Sequence, residues 1–356
     1  MDKKTIVMKH PLVNIVLVTY NQFKFVPDCI ESVLACNYKN IKFYLVDNNS
    51  EKNGYESFCS KFRSNKNITF YRLEKNIGFP GACNYALKNI KKGYIVFLND
   101  DTIVTKDWLN PIISYMEKNP DVGACQPKIK NMRKKNYFEY AGAAGGCMDV
   151  YGFPFCRGRI FFTAEKDYGQ YDKVTRLVWC SGACMITKAE VLKKVGFFDD
   201  IFFIYGDESD LCWRMHFYGY KLMYIPTSTI YHYGSGTMDR QPYKKIYLHH
   251  RNGIILLFKN YTAIELVQYL PIRIFFDFCA FWFYILKSRI FMNALAIPLA
   301  YINLLYLTPQ LLKRRRFAAF KIKKKGIERY PLYRGSIVLD YFLLRKRKYS
   351  QLERNE

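Results

Sequence analysis

The sequence predicts an α/β fold, a parallel sheet with helices on both faces, followed by an apolar and basic helical region. Three observations predict it. From Val13 to Asp101 short apolar runs alternate with helical patterns, the signature of strands joined by crossover helices. Three runs end on polar residues, Thr19-Tyr20-Asn21, Asp47-Asn48-Asn49 and Asn99-Asp100-Asp101, and open α/β sheets bind ligands beyond the carboxyl ends of their strands. The last hundred residues change character, becoming apolar and then basic.

In chain order, "NIVLVTY" reads as a strand, "PDCIESVLACN" as a helix, "IKFYLVDNN" as a strand and "GYESFCSKFRSN" as a helix. "ITFYRLE" is the third strand, "PGACNYALKNIKK" a helix with Pro80 near its start, and "GYIVFLNDD" the fourth strand. From Trp108 to about Thr175 the periodicity weakens, and the Gly142 to Gly146 cluster is expected in a flexible or tightly packed loop. Order returns with "RLVWCSGACMITKAEVLKKVG", a strand or hairpin leading into a helix, and "KLMYIPTSTIYHYGSGT" reads as another strand. From Ile290 to Leu312 no charge occurs across 23 residues, a length that could span a bilayer. Pro298, Pro309, Asn293, Asn303, Gln310 and the earlier Asp277 favour helices lying in the interface or re-entrant. A buried helical subdomain is the alternative.

Half of the 356 residues are apolar, enough for one large or two modest cores. The polar start "MDKKTIVMKHP" lacks the pattern of a secretory signal, so a cytosolic chain is expected. Its eleven cysteines form no Cys-x-x-Cys pair, and Cys180 and Cys184 lack the further ligands of a metal clip, so reduced core thiols are expected. The net charge of +25 would suit any polyanion, but fifteen Lys/Arg against four acids, a net +11, lie between Lys313 and Glu356, directly after the most apolar stretch. That placement suits an anionic membrane face rather than nucleic acid.

The candidate chemistry lies in "FLNDDT", "YGDESD" and "IYHY". Carboxylates with one imidazole bind a hard divalent ion, which takes its other ligands from phosphates and water. No Gly-x-x-x-x-Gly-Lys-Ser/Thr cradle is present to hold those phosphates, which favours a metal-held diphosphate leaving group over triphosphate hydrolysis.

The series "IVLVTYN", "VDNNS", "KNIGFPGACNYAL", "FLNDDT", "CSGACMITKAEVLKKVGFFDD", "FFIYGDESDLCWR", "IYHYGSGT" and "HHRN" resembles the inverting glycosyltransferases of family two, especially the rhamnosyltransferase-like branch, over about residues 13 to 260. The resemblance implies a GT-A domain over residues 1–260, Rossmann-like with a mixed, mainly parallel sheet, with 13–101 as the nucleotide-binding half and 102–260 as the acceptor and catalytic half, while the composition of 261–356 reads as a helical membrane-associating region with a basic tail. It implies that Thr19 and Asn21 lie at the nucleotide pocket and that Asp47 accepts a hydrogen bond from the pyrimidine. Asn76 and Gly78 to Gly81 would line the base and ribose, with Asn84 on the following helix. Asn99 and Asp101 occupy the acid positions of an Asp-x-Asp metal motif, so Asp101 would be the direct ligand to Mg²⁺ or Mn²⁺. Asn99 would contact ribose or a metal-bound water, and Asp100 between them would be solvated. Ser181, Gly182 and Ala183 would border donor sugar and acceptor, and His232 would approach the metal or diphosphate. Glu208 falls where relatives carry the proposed base, with Asp207 the alternative.

The function so implied is transfer of rhamnose or another hexose from a dTDP- or UDP-sugar to a saccharide, typically lipid-linked, at the cytoplasmic face of the membrane. A homodimer through the C-terminal helices is compatible with it. Two alternatives stand beside it, a sugar-nucleotide or sugar-phosphate transferase and a noncatalytic membrane-associated scaffold.

Overall fold

The computed structural model describes residues 10–139, 142–234, 242–288, 291–323 and 332–352. Ile290, the tail of "IYHYGSGT" from Ser235, and Lys324, Lys325, Arg329 and Arg354 of the basic tail lie outside the described residues.

The first hundred residues alternate as their pattern predicts. Strands β1 (Val13–Thr19), β2 (Ile41–Asp47), β3 (Ile68–Arg72) and β4 (Tyr94–Asn99) are joined by helices α1 (Val26–Leu34), α2 (Lys52–Phe62) and α3 (Gly78–Leu87). They pair in parallel in the order β3-β2-β1-β4. In β4, Tyr94, Val96 and Leu98 enter one core and Ile95 and Phe97 the other, the period of two expected of a strand covered on both faces. Helices α1 and α2 complete the first core and α3 the second.

The weakly periodic stretch holds a helix, a long strand and four short strands that were not anticipated. Short β5 (Thr102–Val104) leads to α4 (Leu109–Lys118) and then to β6 (Val122–Asn131). Leu109, Ile112, Ile113 and Met116 are buried at the spacing of one helix face. Strand β6 hides its identity because its buried Gln126 and Lys128 find partners far along the chain, Gly142 and Ser181 for the first, Asp167 and Asp172 for the second. Beyond it a small antiparallel sheet forms from β7 (Gly146–Met148), β8 (Pro154–Cys156), β9 (Arg159–Ile160) and β10 (Thr163–Ala164). The glycine cluster is tightly packed: a Cβ on Gly142 would lie 2.5 Å from the Ser181 side chain, and one on Gly145 2.2 Å from Leu177.

After β11 (Thr175–Arg176), β12 (Cys184–Lys188) inserts antiparallel between β4 and β6, and α5 (Ala189–Val195) follows it directly. Helix α6 (Asp207–Phe217) then leads to β13 (Lys221–His232), parallel to β6 and antiparallel to β5 and β11. Among the described residues the large sheet has nine strands.

Helices α7 (Pro242–Asn260), α8 (Ala263–Ser288), α9 (Phe291–Lys323) and α10 (Ile337–Phe342) close the chain. Residues 263–286 and 291–315 are long and apolar enough to cross a membrane by length and composition. Yet Leu304 and Leu311 of α9 join the same core as α3, α5 and α6, and Ile337 and Tyr341 of α10 pack on Phe155 and Ile160.

Candidate active site

The carboxyl edge of the parallel strands collects most of the residues that the sequence singles out. At the end of β1 the Thr19 hydroxyl is buried without a hydrogen-bond partner. Asn21 adopts φ 55°, its backbone N–H donates to Ser50 Oγ (2.9 Å), and its Oδ1 accepts from Glu51 N (2.8 Å). Asp47, wholly buried at the end of β2, accepts from Ser50 N at 3.2 and 3.3 Å, with Arg72 Nε 3.7 Å from Oδ2.

The loop before α3 is wired to β2 by Asn48. Its Nδ2 donates to Asn76 Oδ1 (2.9 Å) and Gly78 O (3.2 Å), and its Oδ1 accepts from Ile77 N (3.0 Å). Gly78 sits at φ 77°, where an added Cβ would lie 2.3 Å from the Phe203 carbonyl, so only glycine fits. Gly81 packs on Ile77. Both ends of the Asn84 amide are spent on Phe198, Nδ2 donating to its carbonyl (2.9 Å) and Oδ1 accepting its N–H (3.1 Å). That makes Asn84 a brace between α3 and the segment approaching α6.

Asp101 and His232 come together through strand register. Thr102 of β5 pairs with His232 of β13, which brings His232 Nε2 to 2.8 Å from Asp101 Oδ1 and 3.3 Å from Asn99 Nδ2. Burial would lower the His232 pKa, but the charge and hydrogen bond of Asp101 raise it. Its Nδ1 is buried with no partner. Asp100 differs from expectation: it is half-buried rather than solvated, and burial together with the Asp101 charge pushes its pKa up to about 8.

Ser181 to Ala183 form the turn entering β12, beside the end of β4, where Asn99 N donates to Ala183 O (3.1 Å). Gln126, which sequence reasoning missed, fixes this turn: Oε1 accepts from Ser181 N (2.8 Å) while Nε2 donates to Gly142 O (3.0 Å). Ser181 Oγ in turn accepts from Ala183 N (3.1 Å). Gly182 is half-buried, with the Phe79 ring 3.9 Å from where its Cβ would be.

Asp207 and Glu208 open α6, where the helix N-terminus favours negative charge. Burial and the Glu208 charge raise Asp207 well above the carboxylate range. Burial also raises Glu208, while the hydrogen bond from Asp207 opposes that rise. Both carboxyls are thus driven towards their protonated forms, and Asp207 Oδ2 is buried without a partner. Asp210 is different in kind. Its burial would raise the pKa, but Lys259 Nζ at 2.7 Å and Arg214 Nε at 3.0 Å hold it down as a structural ion pair.

The loop before this pair is strained at Phe203 (φ 64°) and Tyr205 (φ 69°), while Gly206 takes φ 81° at no cost. Helix α7 holds it there. Arg251 donates to Ile201 O and Phe202 O (2.8 and 2.9 Å), and Asn252 Nδ2 lies 3.0, 2.8 and 2.7 Å from the carbonyls of Phe202, Ile204 and Tyr205. The Phe203 carbonyl accepts from Phe79 N (2.8 Å), so the loop before α3 and the loop before α6 are one bonded unit. The "HHRN" stretch pointed to these residues without revealing what they do.

A divalent cation fits the Asp101–His232 pair by its chemistry. One carboxylate and one imidazole meet in a buried corner, the imidazole's second nitrogen unpartnered. Among the described residues no group of three or more His, Cys, Asp or Glu could hold a metal, so further ligands would have to come from phosphate and water, as Mg²⁺ and Mn²⁺ commonly take them.

Known proteins share this architecture. The chain superposes on GalNAc-T7 with UDP, GalNAc and Mn²⁺ at TM-score 0.54 and 15% identity, over 70% of this chain and 48% of that one. It superposes on the mannosyltransferase PcManGT of Pyrobaculum calidifontis in complex with GDP-Man and Mn²⁺ at TM-score 0.51 and 14% identity, over 88% and 85%. The fold is GT-A. In sequence it is 26% identical over 220 residues to poly-beta-1,6-N-acetyl-D-glucosamine synthase of Staphylococcus epidermidis, covering 60% of this chain and 48% of that protein. The chain thus spans about half the length of the curated relatives it matches. Residues 14–196, half of the chain, match the profile described as Glycosyl transferase family 2, and the chain belongs to that family.

Proposed function

We propose that this glycosyltransferase moves a hexosyl group, rhamnosyl being the version the motif series favours, from a dTDP- or UDP-sugar to a saccharide acceptor with inversion. The acceptor in this reading is lipid-linked, and the reaction serves cell-surface polysaccharide assembly at the cytoplasmic face of the membrane. Residues 1–260 are the transferase unit, with 13–101 binding nucleotide and 102–260 holding acceptor and catalytic groups, and 261–356 is the membrane-associating region.

The observation that carries the reading is the meeting of Asp101 and His232 at 2.8 Å on the carboxyl edge of the sheet, with the carboxyl pair of Asp207 and Glu208 at the start of α6. Thr19, Asn21, Asp47, Asn76, Gly78 and Gly81 would hold the nucleotide, and Ser181 to Ala183 the donor sugar. Asp101 and His232, with Asn99 beside them, would hold Mg²⁺ or Mn²⁺, which when bound supplies Lewis-acid neutralisation of the diphosphate leaving group. Glu208 takes the proton of the acceptor hydroxyl as its oxygen attacks the anomeric carbon, and the bond to the diphosphate breaks on the opposite face. Asp207 stays protonated, donates to Glu208 and keeps it ionised closer to neutral pH. Such base assistance contributes about 10²- to 10⁴-fold.

The test is release of nucleoside diphosphate from dTDP-, UDP- and GDP-sugars by the full chain with Mn²⁺ or Mg²⁺ and a lipid extract, with label followed into the lipid fraction. No release from any donor refutes the transferase reading. Release with transfer only to soluble saccharides refutes the lipid-linked acceptor alone.

A further inference from the structure

Helix α8 is inside out for a protein in water. The charged residues along its middle point inward, Arg273 being 3% and Asp277 1% exposed, while Ile264, Val267 and Leu286 are 80%, 79% and 78% exposed. Phe275, Phe278 and Trp282 continue that outer stripe at helical spacing. A soluble surface helix shows the opposite arrangement, and a contiguous apolar face of this length marks a contact with something apolar. Helix α9 repeats it through Leu299, Ile302, Leu305 and Tyr306, all exposed.

The inward charges fix both helices to the transferase unit. Arg273 reaches the carbonyls of Tyr151 and Gly152 at 3.3 and 3.4 Å and covers the Phe153 ring at 3.9 Å. Asp277 takes His250 Nδ1 at 2.9 Å and the Tyr301 hydroxyl at 2.7 Å. Near the far end of α9, Arg314 pairs with Asp199 at 2.7 Å. Tyr301 and Arg314 are about 20 Å apart along the helix, so α9 lies against globular protein over most of the length a crossing helix would need. Neither helix can cross a bilayer without taking the transferase unit into the hydrocarbon.

A third element continues the face. Phe342 of α10 meets Phe283 of α8 with ring centroids 5.9 Å apart, and Leu343 and Leu344 after it are exposed. The chain then runs Arg345-Lys346-Arg347-Lys348, basic groups at the edge of an apolar surface, of which Lys346 is paired with Asp340 at 2.9 Å. This charge selects the occupant, an anionic lipid surface rather than an apolar protein partner.

We propose that α8, α9 and the Phe342–Leu344 turn form one monotopic docking face that lies in the plane of an anionic bilayer, with Arg345 to Lys348 at the headgroups. This deepens the membrane-surface part of the functional reading and rests on it.

Trp108, Trp179 and Trp213 are buried and Trp282 is exposed, so quenchers carried on lipid read Trp282. The full chain is mixed with phosphatidylcholine vesicles, with and without phosphatidylglycerol, brominated at shallow or deep acyl positions. The expected result is co-flotation with the anionic vesicles and preferential shallow quenching. Ile264→Trp and Phe275→Trp, each in a Trp282→Phe background, should report the same shallow depth, and Arg345→Gln or Lys348→Gln should weaken binding about fivefold each. Depth that increases towards the middle of α8 would overturn the proposal in favour of a span. Absence of flotation and quenching would overturn it outright, as would a lipid-free dimer dispersed by Phe278→Glu, which would make a second copy the occupant. Nucleoside diphosphate release is recorded in parallel in vesicle-free buffer with detergent-dispersed lipid extract as acceptor. Loss of vesicle binding with donor turnover intact condemns the docking face alone, and binding without turnover condemns the transferase reading alone.

Discussion

Two acidic clusters stand at the candidate site, and they manage their charge in opposite ways. Asp101 faces an imidazole whose pKa it raises, so its charge is answered by a cation or by something that replaces one. Asp207 and Glu208 have no cationic side chain bonded to either among the described contacts, and burial drives both towards the protonated form. Asp210, two residues on from Glu208, carries the Lys259 and Arg214 pairs instead. The difference fits the roles proposed for them, an ion at the first cluster and a proton in transit at the second.

If that division is right, the largest effect comes from the first cluster. Asp101→Ala should reduce donor turnover by about a thousandfold or more, since it removes electrostatic stabilisation where leaving-group charge develops, and should abolish metal-dependent binding of the nucleotide in calorimetry. Glu208→Gln should cost about 10²- to 10⁴-fold in turnover and leave nucleotide and metal binding intact. Full turnover by Glu208→Gln would move the base to Asp207 or elsewhere.

The proton cluster also makes a prediction of sign. A base works ionised, so activity falls as pH drops through the Glu208 pKa, which burial has raised. Asp207→Ala removes the hydrogen bond that opposes this rise, so the acidic limb of kcat/KM should move to higher pH. Asp207→Asn keeps a donor and should leave the limb nearly where it was. A limb that moves downward in Asp207→Ala would mean that the pair does not share a proton.

Most of the parts of both clusters were legible in the sequence, but not the means by which they are held. Strands β1, β2 and β4 announced themselves because each buries alternate residues in two cores, and their polar ends marked the ligand edge. Strand β6 did not, because Gln126 and Lys128 look exposed until their distant partners are known, whereas α4 carried a helical spacing at Leu109, Ile112, Ile113 and Met116 that was there to be read. Asp100 was misread as solvated because its burial depends on tertiary packing around the strand end. The strained loop at Phe203 to Gly206 has no local signature for Phe203 and Tyr205, since neither residue type favours positive φ. Its cause lies about fifty residues away in Arg251 and Asn252.

That remote clamp yields a smaller effect on the proton cluster alone. Asn252→Ala removes the amide that bridges three carbonyls and frees a loop whose conformation costs about 1–3 kcal/mol per strained residue. Turnover should fall about tenfold through kcat with nucleotide affinity little changed, because Asn252 acts on the placement of Asp207 and Glu208 rather than on the donor. An equal loss in metal-dependent nucleotide binding would show that the clamp serves both clusters, through the bond between Phe203 and Phe79.

The smallest effect concerns a third buried acid that answers its charge in yet another way. Asp149 accepts backbone N–H bonds from Tyr151 (3.0 Å) and Phe153 (2.9 Å) at Oδ1 and from Ile337 (3.1 Å) at Oδ2, and so ties α10 to the small sheet. Burial nevertheless raises its pKa to about 7. An acid raised on folding contributes stability that is full below its unfolded pKa, near 3.8, and is lost as pH rises through about 7. Asp149→Asn keeps the Oδ1 acceptor but turns an amide donor towards the Ile337 N–H. Exchange protection of residues 337–342 should therefore fall by about 1–3 kcal/mol, while the decline in stability between acidic and neutral pH flattens and donor turnover in solution stays unchanged. If turnover fell with it, α10 would be coupled to the catalytic edge rather than to the membrane face alone.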